Sequence, residues 1–177
     1  MIHKLFSGSD KPNPRFVATS SLKSGMAKVG LLPTPLQSSL EDLVNRVNSC
    51  DAGLNVILLS TSDGVPLGRV YSGDWQVDEE TLANMESTWA PASKQFPFLQ
   101  CGEIQSVTAM YEQVTLLHIY MSPVVVTLLV SPKSNLGSIK STAIPLLKEI
   151  LEPLCQTLLS SLSPDTSQDV HGSGYYH

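Results

Sequence analysis

Apolar positions along the chain change period several times, and each change marks an element. Leu36, Leu40, Leu43, Val44 and Val47 recur at intervals of three and four, the stripe of a short amphipathic helix that Asn48, Ser49 and Asp51 to Gly53 bring to an end. The apolar run Leu54 to Leu59 that follows is bounded by Gly53 and by Ser62, Asp63 and Gly64, and its length suits a buried strand. Asp63-Gly64 predicts a hairpin, because Asp and Gly tolerate the positive φ of a tight turn, with Val65 to Tyr71 returning. After Ser72-Gly73-Asp74, Asp78, Glu79 and Glu80 place a capping side chain and negative charge where a helix start exposes free amides. Leu82, Met85 and Trp89 form one apolar face of that helix, which Pro97 closes at the latest.

Three β runs come next: Glu103 to Met110, Val114 to Tyr120 and Val124 to Val130. Their junctions, Tyr111-Glu112-Gln113 and Met121-Ser122-Pro123, are too short for anything but antiparallel neighbours. Finally Ile144, Leu147, Ile150, Leu151, Leu154 and Leu158 outline a long amphipathic helix, expected to start near Pro145, with Ser141 or Thr142 at its cap, and to kink at Pro153. The order helix-strand-strand-helix-strand-strand-strand-helix is an α/β (α+β) arrangement, a five-stranded antiparallel sheet with helices on its faces.

Residues 1–34, punctuated by Gly8, Pro12, Pro14, Gly25, Gly30 and Pro33, show no sustained period and read as a flexible arm; residues 163–177 read as a polar tail, leaving 35–162 as the folded domain. Charge follows that division. Residues 1–34 hold five basic side chains and one acidic, whereas the rest holds six basic against fifteen acidic. An acidic body without Arg or Lys interleaved with aromatics excludes a nucleic-acid surface. With 42% hydrophobic and 15% charged residues, the chain is oily enough to expect a protein partner.

Membrane contact is expected only through such a partner. The apolar run Val124 to Val130 is far short of the ~20 residues a spanning helix needs. Ile2 stands where myristoylation requires glycine, and the sparse basic residues and serines of the arm suit a solvated tail with a transit peptide as the alternative.

Candidate chemistry is sparse. Cys50, Cys101 and Cys155 form no CxxC pair and are expected as small apolar fillers. GxSxG, HExxH, Walker and GxGxxG signatures are absent, and Ser20 with Lys23 matches SxxK only in the arm, where no site is preorganised. His3, His171 and His177 lie in the tails; His118 falls within a predicted strand, with no evident partner for general-base work. No catalytic group, cofactor or metal is expected. Thr34-Pro35 and Ser163-Pro164 are minimal proline-directed phosphorylation motifs in the flanks.

The third β run is the informative one. Glu103, Gln105, Ser106 and Thr108 are polar while Ile104, Val107 and Met110 are apolar, without the strict apolar character of a strand buried on both faces. It reads as a sheet edge, whose free amides and carbonyls must be blunted or paired. A partner strand would satisfy them. The expected partner surface is therefore Ile104, Gln105, Ser106, Val107, Thr108, Ala109 and Met110, with Leu82, Met85 and Trp89 of the middle helix as side-chain anchors or, alternatively, as packing on their own sheet.

The stretch AGLNVILLSTSDGVPLGRV (Ala52 to Val70), then STWAPASK (Ser87 to Lys94), MYEQVTLLHIYMSPVVVTLLV (Met110 to Val130) and Ser134-Asn135-Leu136-Gly137, taken in this order and spacing, resembles the roadblock/dynein light chain family over about residues 36–160. The resemblance implies a roadblock/profilin-like fold and a scaffold without an active site. It further implies a second roadblock-type subunit as heterodimer partner in a Ragulator-like complex with Rag-type GTPases, mTOR signalling and MAP-kinase components. The setting would be the cytosolic face of late endosomes or lysosomes, reached through a lipidated partner. The same fold would also serve a homodimeric, dynein-associated light chain. Pro145 and the long basic arm depart from the family's compact pattern.

Overall fold

The computed structural model describes residues 32–49, 52–73, 75 and 77–162. Most of the expected arm and the whole expected tail, together with Cys50, Ser20, Lys23, Ser163, His3, His171 and His177, lie outside the described residues. Helix α1 (Thr34–Asn48) leads to the hairpin β1 (Leu54–Thr61) and β2 (Pro66–Tyr71). Helices α2 (Glu79–Ser87) and α3 (Trp89–Ser93) and a 3-10 turn (Phe96–Leu99) follow; then come β3 (Ser106–Met110), β4 (Thr115–Met121), β5 (Val124–Val130) and α4 (Leu136–Leu162). The strands form one antiparallel sheet in the order β2-β1-β5-β4-β3.

Alternation along the strands sorts side chains to two faces. Ile57 and Leu59 of β1, Leu117 and Ile119 of β4 and Val126 and Leu128 of β5 pack under α1 and α4. Val56, Leu58, Leu116 and Leu129 face the other way, toward Leu82 of α2. The β1–β2 turn forms as its sequence requires: Gly64 takes φ +87 and its amide donates to Thr61 O at 2.9 Å.

Helix α4 starts at Leu136, well before Pro145. Asn135 Oδ1 accepts from the Ser138 amide at 3.2 Å, and Ile139, Ala143, Leu147, Leu151 and Cys155 bury one continuous side at four-residue spacing. That stripe extends the one visible from Ile144 onward by a full turn. Pro145 and Pro153 both lie inside the helix on its exposed side, where the carbonyls left without an amide partner face solvent, not the core. The middle helix is likewise interrupted: Thr88 separates α2 from α3 and the backbone tightens into a 3-10 turn around Pro97. Strand β3 begins three residues later than its polar pattern predicts, at Ser106. Cys101 is exposed, not an apolar filler, whereas Cys155 is buried as expected.

Candidate interaction surface

Strand β3 is an outer strand, and among the described residues no strand lies beyond it. Its register pairs Val107 with His118 and Ala109 with Leu116. Tyr120 N donates to Gln105 O at 3.0 Å and Tyr111 N to Val114 O at 2.9 Å, so the odd-numbered residues turn their backbone groups to β4. By the two-residue alternation, the amides and carbonyls of Ser106, Thr108 and Met110 point outward. Side chains along the edge are half-buried from Ser106 to Ala109 and open at the end, where Met110 is 70% exposed.

The flank of this edge is aromatic. Trp89 stacks on Tyr120 with ring centroids 5.6 Å apart and planes at 21°, and meets Phe96 at 5.9 Å and the His118 ring at 6.1 Å in tilted contacts. Tyr120 shares the α2–α3 side of β4 with Leu116 and His118, yet stays 37% exposed. Between α3, the 3-10 turn and the approach to β3 lies a cleft of about 570 Å³, lined among others by Trp89, Phe96, Glu103, Ile104 and Tyr120. Phe98 and Leu99 project from the 3-10 turn at 79% and 67% exposure.

Of the residues expected from sequence, Ser106 to Met110 form the edge strand, and Ile104 and Gln105 lie on its approach. Leu82 is fully buried in the chain's own core beneath α2, Met85 is half-buried against that core, and Trp89 is buried under the aromatic cluster. Phe96, Phe98, Leu99, Tyr111 and Tyr120 were not singled out as surface residues by pattern reading, and Glu103 only as a polar position of the edge. The signal available was Phe96-Pro97-Phe98-Leu99, four apolar residues in succession with no helical or strand period to bury them.

Two polar networks hold the flank in place. Arg69 of β2 donates from Nε to Glu86 Oε1 at 2.9 Å and from Nη2 to Glu86 Oε2 at 2.7 Å, a bidentate pair in which Glu86 is 1% exposed. Arg69 Nη1 also donates to Glu79 Oε2. These carboxylates, Glu86 first, raise the Arg69 pKa further above its already basic value against the opposing cost of burial. Sequence reading missed the pair, although Glu86 falls four residues after the buried Leu82 on the same helical face.

The second network centres on His118. Thr88 Oγ1 donates to Met85 O at 2.7 Å, so it accepts from His118 Nε2–H at 3.2 Å. His118 Nδ1 then accepts from Thr127 Oγ1 at 2.8 Å. Both nitrogens of a neutral ring are satisfied, and burial lowers the His118 pKa. The arrangement ties the α2–α3 break to the sheet and offers no proton to a substrate. Among the described residues there is no group of three or more His, Cys, Asp or Glu able to hold a metal ion, and no helix is long and apolar enough to cross a membrane.

Comparison with known proteins places the family and the fold. Residues 35–158 match the family described as mitogen-activated protein kinase kinase 1 interacting. The chain is similar to a Ragulator complex protein LAMTOR3 homolog of Dictyostelium discoideum, 25% identical over 114 residues that cover 64% of this chain and 80% of that protein. In fold it is similar to the gliding protein MglB of Thermus thermophilus, with TM-score 0.57, 16% identity and coverage of 71% of this chain and 95% of that one. It is also similar to a Roadblock/LC7 domain of Streptomyces avermitilis, with TM-score 0.54, 15% identity and coverage of 70% and 98%.

Proposed function

The chain belongs to the mitogen-activated protein kinase kinase 1 interacting family, and from that premise we propose that it is the subunit of a Ragulator-like assembly that pairs through its β3 edge with a second roadblock-type protein. It is a non-catalytic adaptor of roadblock fold with a Ragulator and MAP-kinase scaffold role. In the finer reading, the heterodimer supports Rag-type GTPases, mTOR signalling and MAP-kinase components at late endosomes or lysosomes, and reaches the membrane through a lipidated partner.

The observation that carries the pairing is the row of outward backbone groups on Ser106, Thr108 and Met110 beside exposed Met110 and Tyr111. Burying such an edge in a continuous two-subunit sheet satisfies its donors and acceptors. Backbone pairing of this kind runs from Ile104 to Met110. Met85 adds side-chain contact, while Leu82 and Trp89 hold the flank from beneath, Trp89 through its stack on Tyr120.

Co-expression with the second roadblock subunit of the same organism, followed by mass measurement in solution, tests the reading. A one-to-one complex is expected. A stable homodimer that ignores that subunit overturns it and favours the light-chain alternative.

A further inference from the structure

Strand pairing is generic, because any edge strand can satisfy the outward amides and carbonyls of β3. Selection among partners has to come from side chains beside the strand, and the cleft at the entry to β3 is a recess large enough to hold one. Its walls have a definite chemistry. Tyr120, stacked on one side by Trp89, is 37% exposed, and Phe96, in tilted contact with Trp89, also lines the cleft. Ser62, Ser93, whose hydroxyl donates to Ala90 O and so can only accept, and Ser122 line it, Glu103 is the one charged residue of the lining, and no base lines the cleft.

Among the described residues no base pairs with Glu103, whose side chain is exposed. Lys94, the next base along the chain after α3, is exposed and outside the lining. Aromatic ring faces attract a cation through their quadrupole, and a carboxylate at the rim supplies its counter-charge. A planar cation satisfies both at once: it lies flat on the ring and presents its edge N–H groups to the carboxylate and hydroxyls. A compact ammonium does only the second of these well.

We propose that this cleft is an arginine socket, which selects the partner by receiving an arginine side chain carried on or next to the strand that pairs with β3. Glu103 and Ile104 line the socket and run into β3 through Gln105, so one extended partner segment reaches edge and socket together. The acidic balance of the chain beyond residue 34 favours a positively charged partner segment. The placement of the arginine on the paired strand rests on the β3 reading; the cation site itself does not.

The test titrates the full chain, labelled with nitrogen-15, with acetyl-arginine amide, acetyl-lysine amide and acetyl-citrulline amide, following the backbone amides of Glu103, Ile104 and Tyr120. Arginine amide is expected to give a saturable shift at these positions, binding roughly tenfold more tightly than uncharged citrulline amide. Lysine amide is expected to bind more weakly than arginine amide. Glu103→Gln, an exposed change that leaves the core untouched, is expected to lower arginine affinity by a similar factor. Equal binding of citrulline, preference for lysine, shifts scattered over the surface, or an unaltered Glu103→Gln variant each overturns the socket. In the complex with the second subunit, arginine amide is expected to lose access; a socket that still titrates there overturns the partner assignment. Because the first titration needs no partner, failure of β3 pairing and failure of the socket are read separately.

Discussion

Replacing Arg69 by methionine tests what holds the α2–α3 flank against the sheet. Methionine keeps much of the aliphatic bulk and removes the guanidinium, which leaves the Glu86 carboxylate, 1% exposed, without its two donors. Breaking a buried pair from one side typically costs about 3–5 kcal/mol, because an uncompensated charge stays in low dielectric. The Glu79 bond adds little, since that side chain is 67% exposed and such pairs are worth about 0–1 kcal/mol. The double variant Arg69→Met with Glu86→Leu removes both charges, and apolar replacement of a buried pair is often close to neutral. Urea denaturation reads the cycle: with a slope of about 2 kcal/mol per molar, the single variant is expected to lose roughly 2 M in midpoint and the double variant to regain most of it. If Arg69→Met costs under about 1 kcal/mol, or the double variant is no better than the single, the pair does not anchor the flank.

Thr108→Pro removes an outward amide from an edge strand, a position where proline is tolerated; circular dichroism is expected to show an intact monomer, while pairing with the second subunit weakens by tenfold or more on the scale of roughly 1–1.5 kcal/mol per lost bond. An intact complex would sink the β3 assignment. Trp89→Ala empties the centre of the aromatic cluster and is expected to cost about 3–5 kcal/mol in thermal or urea unfolding; a cost near zero would contradict its burial. His118 gives the pH dependence. Its folded pKa lies below the unfolded value of 6.5, so the unfolded chain takes up the proton first, and the contribution of this group to stability is complete above pH 6.5 and declines as pH falls through that value toward the folded pKa. His118→Gln is expected to flatten this part of the stability–pH curve, and an unchanged slope would assign it to other groups.

Several features were legible in the linear pattern because they depend on near neighbours. The apolar runs of β1 and β5, the Asp63-Gly64 turn and the short junctions on either side of β4 leave few ways to arrange the sheet. The mixed polarity of the third run similarly marks β3 as an outer strand, and the order of the motifs carries the family resemblance. Periodicity misplaces the start of α4 because Pro145 outweighs, on local propensity, a buried stripe that only packing against the sheet makes favourable. Other features depend on contacts between segments distant in sequence. Glu86 is buried where Arg69 crosses from β2 to meet it, and His118, whose pKa burial lowers, is held between Thr88 from α2's end and Thr127 of β5. The apolar stripe of Leu82, Met85 and Trp89 records which side chains avoid water, but not whether the chain itself or a second molecule shields them. The tertiary structure covers Leu82 and Trp89 from within and leaves Tyr120, Met110 and the outward amides of β3 open, because among the described residues no strand lies beyond β3.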